Sequence, residues 1–498
     1  MGALAAVGWI ASAEGARADP APSPEPDARI APSPEAPWHA PELGEYTQAL
    51  VPPHEPALLE PDRDYALPEL IDLAERLDPD TRVAWEGARQ AALAQDLVTS
   101  QYLPVLALAA SIGAQRLPLP APKTFVGQPF VADGFFDLDY RFNVLSGLSL
   151  RWLLLDFGGR RAAWDAAGER LLAANLGFNA RHQQLVFAVE KSFYDLTSVR
   201  GKIGVAQDAL VSAVAVREAA EQQSERGLAT DPELLLARQQ EAQAAFELED
   251  VSETERDAQV ALAKAIGLPP TTPIRVVDFW RLEIPTELER SVETTIDRAL
   301  ANRPDLIAKV AEFRAREDEV LKARAAYFPT VSLVADAGGR ATESNFRVDG
   351  RSSGASTWAQ PAYGAAILLE LPLYEGGARA TKVAIAESAQ RAAEHEFRAA
   401  RDEAIRQVWK AYTDTKLALR RVRVTKALVD ASDKAYQSTF ESYDKGLETL
   451  TNLLASRREL SRSRFSELDA KVRVLESSVS LSFATGELTA PAAPGTTP

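Results

Sequence analysis

The residue types that do chemistry are sparse in this chain of 498 residues, and poorly placed for it. There is no cysteine, which excludes a disulfide framework, thiolate metal sites and cysteine nucleophiles. Of the four histidines, His39 and His54 lie in a proline-rich stretch, while His182 and His395 stand singly in helical sequence without metal-ligand spacing. Aspartate and glutamate total 71, but they are spread along helical faces and no pair has a special claim to acid–base work. Two glycine pairs, Gly158-Gly159 and Gly376-Gly377, follow strand-like segments and open helical ones. A glycine pair there could cradle a phosphate, yet the wider nucleotide-binding pattern is absent, and the alternative is a sharp turn of the backbone. No enzyme active site or cofactor site emerges.

The elements around these residues are more informative, because they are written twice. Pro79 and Pro304, and Tyr102-Leu103-Pro104 and Tyr327-Phe328-Pro329, recur 225 positions apart. Gly158-Gly159 and Tyr194 match Gly376-Gly377 and Tyr412 at 218. Gly227-Leu228, Leu234-Leu235, Arg238, Phe246 and Gly267 then match Gly446-Leu447, Leu453-Leu454, Arg457, Phe465 and Gly486 at 219. Ordered landmarks at a nearly constant spacing indicate a duplicated unit of the form helix, strand, loop, strand, long helix, tight turn, helix.

Within each unit the periodicity changes from helix to strand and back. A helix is expected from about Leu67 to Gln101, ending before Pro104. Four strands of about ten residues follow from strict alternation. Leu106, Leu108, Ala110 and Ile112 share one face, as do Leu148, Leu150, Trp152 and Leu154. In the second unit Val331, Leu333, Ala335 and Ala337 oppose Thr330, Ser332 and Asp336, and Tyr363, Ala365, Ile367, Leu369 and Leu371 oppose Gly364, Ala366 and Glu370. One apolar and one small or polar face per strand is the pattern of a membrane β-strand, and also of a half-buried soluble sheet. No second layer is evident to cover such a sheet. Four strands cannot close a barrel, for which about eight is the practical minimum, so a membrane sheet of this size requires an oligomer.

Two helical stretches, from about 160 to 225 and 378 to 443, would each run about 100 Å at 1.5 Å per residue. Shorter helices, 67–101 and 232–266, would stack end to end along one of them. Leu234, Ala237, Ala244, Leu248, Val251, Ala258, Leu262 and Ala265 form a coiled-coil-like seam.

The ends read differently. Residues 1–18 resemble a truncated export signal: Met1 to Ala13 is free of charge, and Ala16-Arg17-Ala18 has the small-x-small form of a cleavage site. Residues 19–66 form a proline-rich linker; 13 of the 31 prolines fall between Pro20 and Pro68. The division that follows is a first repeat at 67–267, a connector at 268–291, a second repeat at 292–488 and a tail at 489–498. The net charge of −16 argues against nucleic acid. No apolar run reaches the roughly 20 residues of a membrane helix, so hydropathy alone suggests a soluble protein, a reading that the alternating strands override.

In these features the sequence resembles the TolC-type outer-membrane efflux protein family. The resemblance covers about 67–488 and rests on Asn302-Arg303-Pro304-Asp305-Leu306, Tyr327-Phe328-Pro329-Thr330, Leu371-Pro372-Leu373-Tyr374-Glu375-Gly376-Gly377, and Lys445-Gly446-Leu447 before Leu453-Leu454. It implies a mainly α fold with membrane β: long helical hairpins forming an α-barrel tunnel, and four transmembrane strands per chain contributing to a twelve-stranded β-barrel in a homotrimer. The implied role is the exit duct of a tripartite efflux pump or type I secretion system. Such a duct would sit in the Gram-negative outer membrane, extend across the periplasm, and dock to an adaptor protein coupled to an inner-membrane transporter.

The resemblance also assigns residues. Gly158, Gly159, Gly376 and Gly377 become barrel-to-tunnel turns. Arg226-Gly227-Leu228 and Lys445-Gly446-Leu447 match the tip motif where adaptors dock, although a plain interhelical turn explains the glycines equally. The acidic pair that constricts some members is replaced by Asn452 and Ala455. Asp231 and Glu233 lie near the equivalent place after the first tip and would supply a substitute acidic ring if they face inward; the alternative for Asp231 is the cap of a helix that opens with Pro232. Tyr443 matches a position that helps latch the closed tip, or packs between helices. The competing reading is a periplasmic coiled-coil adaptor or scaffold, which would use the helices but has no need of the four strands.

Overall fold

The computed structural model describes residues 59–60, 62–120, 124–125, 128–129, 135–226, 230–277, 287–288, 290–348, 351–445 and 447–488. The export-signal segment, nearly all of the linker, the tail, the middle of the connector, and the tip residues Gly227, Leu228 and Gly446 lie outside them.

The chain enters through β1 (Asp64–Tyr65) and α1 (Leu67–Leu77), then α2 (Pro79–Ser100), β2 (Val105–Pro120), the small hairpin β3 (Thr124–Phe125) and β4 (Gln128–Pro129), β5 (Phe135–Leu155), α3 (Gly159–Glu225) and α4 (Asp231–Ile266). After β6 (Arg275–Val276) the unit repeats as α5 (Val292–Asn302), α6 (Pro304–Ala325), β7 (Thr330–Val348), β8 (Arg351–Glu370), α7 (Ala378–Asp444) and α8 (Leu450–Thr485). The two copies have the same elements in the same order, and each long helix has 67 residues. β1 and β6 pair in parallel, joining the end of the stretch expected as linker to the connector.

The helix expected over 67–101 is two helices. Proline has no N–H to donate and disfavours helical backbone at the residue before it. Asp78 is therefore extended (ψ 118°) and caps α2 through its carboxylate, which accepts from Thr81 N at 2.9 Å. The same break recurs at Arg303 before Pro304.

The strands are 16, 21, 19 and 20 residues long, about twice the expected length. Alternation stops marking them where Gly, Pro and polar residues intervene, yet the ladders continue. They form one antiparallel sheet in the order β2-β5-β7-β8. Its register puts Leu106, Leu150, Ala335 and Ala365 in one row, and Leu108, Leu148, Ala337 and Tyr363 in the next; Trp152, Leu333 and Ile367 follow. All four apolar faces thus coincide on one side. The reverse side carries Ala107, Ser149, Asp336 and Gly364 in a row, with Arg151, Ser332 and Glu370 nearby. Among the described residues nothing covers the apolar side at its open edges: Leu108 is 78% exposed and Tyr363 84%.

Below the sheet, α3 packs with α2 and then with α4, which lie along it in succession, and α7 packs likewise with α6 and α8; α3 also contacts α6 and α8. Both hairpins therefore lie side by side. The seam expected in α4 is buried at Ala237, Ala244 and Leu262. No helix among the described residues is long and apolar enough to cross a membrane.

Candidate functional sites: elbows, tips and the tunnel wall

The chain turns from sheet to helix at two elbows. In the second, Gly376 and Gly377 have φ of 60° and 83°. In the first, the left-handed pair is Phe157 and Gly158, at 51° and 96°. Gly158 and Gly377 are the residues that cap the long helices, so the units superpose at 219 here and not at 218. This corrects the role of Gly159, which is the first helical residue, where an added Cβ would come within 3.1 Å of the Asp156 carboxylate. It also removes the pairing of Tyr194 with Tyr412.

The corrected register exposes side chains that the sequence reading passed over. Arg160 and Arg379 are 219 apart. Arg160 is buried against the ring of Tyr102 (4.7 Å), pairs with Asp156 (3.4 Å), and donates to the carbonyls of Leu153 (2.7 Å), Leu154 (3.1 Å) and Gln101 (3.2 Å). Arg379 lies over Tyr327 (5.5 Å), pairs with Glu375 (2.9 Å) and donates to the Pro372 carbonyl. Arg160 thus ties the first elbow to the end of β5, Arg379 ties the second to the segment that follows β8, and each lies over the tyrosine that follows the preceding helix. The signal was present as acid-x-x-x-Arg at one spacing, beside the Tyr-x-Pro repeat already noted.

At the opposite end, the first tip leaves α3 at Arg226, which is exposed. α4 is capped by Thr230, not Asp231, and Pro232 is its second residue. Glu233 turns back to accept from Thr230 N (2.8 Å) and Oγ1 (3.0 Å), one arm of a capping box. Asp231 is left exposed in the first turn, where its charge complements the helix dipole. The second tip leaves α7 at the exposed Lys445, and Leu447 is 76% exposed. Thr449 caps α8, accepting from Asn452 N (3.3 Å), while Asn452 Nδ2 donates to Glu448 (2.7 Å). Asn452 and Glu233 are therefore equivalent positions, each used in a cap.

The two tips are packed together. Ala220, Ala237, Leu450, Leu453 and Leu454 form one core, against which Tyr443 rests. Its hydroxyl donates to Gln223 Oε1 of the other repeat (3.3 Å), so Tyr443 both packs and bridges. Burial and the nearby Glu233 carboxylate push its hydroxyl above the usual range. Higher up, Arg457 is buried and donates to the α3 carbonyls of Asp208 (3.4 Å) and Ala209. Its repeat counterpart Arg238 stays exposed and pairs with Glu221 (2.9 Å).

Midway along the helices a pocket of about 740 Å³ is lined by residues of α3, α4, α7 and α8. Asp195 of α3 and Glu476 of α8 meet there within hydrogen-bonding reach. Burial, then Asp195, push Glu476 up to about 7. Among the described residues no group of three acidic or histidine side chains could hold a metal ion.

The comparisons with known proteins agree with this architecture. The outer membrane efflux protein family model matches residues 70–268 and 295–487, once per repeat. The pyoverdine export outer membrane protein OpmQ of Pseudomonas putida is 28% identical over 338 residues, covering 67% of this chain and 68% of that protein. OpmQ of Pseudomonas aeruginosa is 25% identical over 440 residues, 85% and 86% of the two chains. Among solved structures, the outer membrane protein VceC of Vibrio cholerae superposes with a TM-score of 0.68 at 22% identity, over 84% of this chain and 96% of that one. With both repeats matched and the duplicated sheet and hairpins in place, the chain belongs to the outer membrane efflux protein family and is an efflux channel of the outer membrane.

Proposed function

We propose that three copies of the chain close into a passive duct through the outer membrane and across the periplasm, serving a tripartite efflux pump or a type I secretion system. The observation that carries this reading is the four-stranded sheet, apolar on one side over the helix-proximal half of every strand and open at both edges, hung from two 67-residue helices. An uncovered apolar face requires lipid, and two open edges require further strands. Twelve strands from three copies satisfy both. A periplasmic adaptor or scaffold would have no use for the sheet. The chain supplies a conduit and a docking surface, with no catalysis of its own. Residues 1–18 direct export, and 19–66 form a linker ahead of the two repeats.

The tips are the surface for the adaptor, through Arg226, Gly227 and Leu228 and through Lys445, Gly446 and Leu447. The exposure of Leu447 beside the helix turn supports this, because an apolar side chain at the end of a solvated hairpin gains only when a partner covers it. The aperture is lined from the same region by Asp231, Glu233, Tyr443 and Asn452. Outer-membrane detergent extraction with heat-modifiable migration tests the whole reading; recovery wholly in the soluble periplasm refutes it. Glu233→Gln preserves a capping side chain and removes the charge, so reduced cation preference in planar-bilayer conductance is expected, and unchanged selectivity removes Glu233 from the aperture.

A further inference from the structure

The duplication fixes more than the fold of one chain. Within each repeat the β-hairpin has the same register: Leu106 faces Leu150, and Val331 faces Leu369, which are their equivalents at 225 and 219; Leu108–Leu148 and Leu333–Ile367 agree. Three seams of the sheet are then seen, but the duplication calls for a fourth. The seam between the repeats, β5 against β7, pairs Leu148 with Ala337 and Leu150 with Ala335. Its counterpart would join β8 to β2, and these are the two open edges.

One glycine shows that β2 is shaped for that missing strand. Gly338 of β7 lies so close to β5 that an added Cβ would collide with the Ser146 carbonyl oxygen and stand 2.6 Å from Gly147 Cα. Its repeat equivalent is Gly113 of β2, where a Cβ would have nothing within 4 Å. The same residue type is kept where the chain itself gives no steric reason. Ala366 stands where Gly147 stands; a Cβ at Gly147 would itself come within 2.7 Å of the Ala337 carbonyl oxygen, so the strands facing Gly113 approach less closely than β5 and β7 do, and Gly113 makes the room on its side.

We infer that the β8 edge of one copy pairs antiparallel with the β2 edge of the next in the register of the β5–β7 seam, placing Ile367 opposite Ile112, Leu369 opposite Ala110, and Ala366 opposite Gly113. This deepens, and rests on, the reading that copies close one barrel. The apolar faces stay in phase across the join, because Ile112 and Ile367 belong to the same side as Leu148 and Ala337. A slip of one residue would turn one copy's apolar face inward. A slip of two would preserve the faces but displace every pair by roughly 7 Å.

The natural absence of cysteine makes the register directly testable by disulfide trapping in outer-membrane preparations of the full chain. Bridging needs Cα atoms within about 7 Å, which opposed antiparallel residues satisfy and pairs slipped by two do not. Ile112→Cys with Ile367→Cys is expected to give covalent dimers and trimers on mild oxidation, whereas Ile112→Cys with Leu369→Cys, or with Ala365→Cys, is not. Leu148→Cys with Ala337→Cys, the equivalent pair within one chain, reports that the sheet has folded. Preferential trapping of a slipped pair overturns the register and leaves closure standing. If no intermolecular pair forms while the in-chain pair does, closure fails as well. Gly113→Val is expected to abolish the SDS-resistant oligomer while the in-chain bond still forms; an oligomer as stable as the parent overturns the close approach at Gly113.

Discussion

Replacing Glu476 with glutamine gives the most direct measure of the seam between the two hairpins. Glu476 is about 7 in the folded chain against an ordinary 4.5, raised first by burial and then by Asp195. The folded chain therefore holds a proton that the unfolded chain gives up near pH 4.5, and stability falls as pH rises from about 4.5 to about 7. That rise corresponds to about 3 kcal/mol at the upper bound. Because the side chain keeps 18% exposure and Arg473 lies 3.6 Å away, a cost of about 1–3 kcal/mol per chain above neutrality is the working range. Charged neighbours lining the same cavity are Lys202 and Asp469, which pair at 2.6 Å, with Asp257 and Arg421; Lys191 also acts on Glu476. Glutamine carries no charge and can donate to Asp195 at any pH. Denaturant unfolding of the purified oligomer, followed by far-UV circular dichroism from pH 4.5 to 8.5, should show the two proteins alike in acid and the variant more stable by about 1–3 kcal/mol above pH 7. Glu190, raised by burial to about 6, adds a slope of the same sign to both proteins and cancels in the comparison. Parallel pH profiles would refute the shared proton.

Other changes test other joints. Gly338→Val, which forces a side chain into the β5 backbone, should prevent assembly of the sheet, read as loss of heat-modifiable migration. Arg160→Ala leaves three carbonyls at the first elbow without their donor and should cost about 1–3 kcal/mol, seen as earlier thermal unfolding and new proteolytic cleavage near residues 153–160. Thr230→Ala should cost about 1 kcal/mol and accelerate amide exchange in the first turn of α4, with the sheet unaffected.

Much of this was legible in the sequence because duplication and periodicity are local, repeated signals. Both 67-residue helices were expected to within a residue or two, since a single helical period runs unbroken between glycine turns. The strands were found but cut short, because alternation fades where Gly113, Gly147, Gly338 and Gly339 occupy the ladder while backbone pairing persists. The break at Pro79 is hidden because the apolar period continues across it, while the proline's missing donor divides the segment into two helices. At the tip, Asp231 looked like a cap because it precedes a proline, yet Thr230 offers both its N–H and its hydroxyl to the Glu233 carboxylate and wins. The elbow arginines and the Asp195–Glu476 contact belong to the other class. Arg160 reaches a tyrosine 58 positions away and Glu476 an aspartate from the other repeat, and no local pattern announces such pairs.

The equal length of the two long helices constrains how such a duct can change over generations. Inserting one residue into α3 alone would rotate everything beyond it by about 100° and advance it about 1.5 Å relative to α7. The tip core, which draws Ala220 from one hairpin and Leu453 from the other, would then come apart. A viable lengthening must enter both repeats at matching depth, and both limbs of each hairpin, preferably as whole heptads that restore the facing. Duct length is therefore inherited in coarse, coordinated steps, and a lineage that needs to span a wider gap has few intermediates through which to reach it.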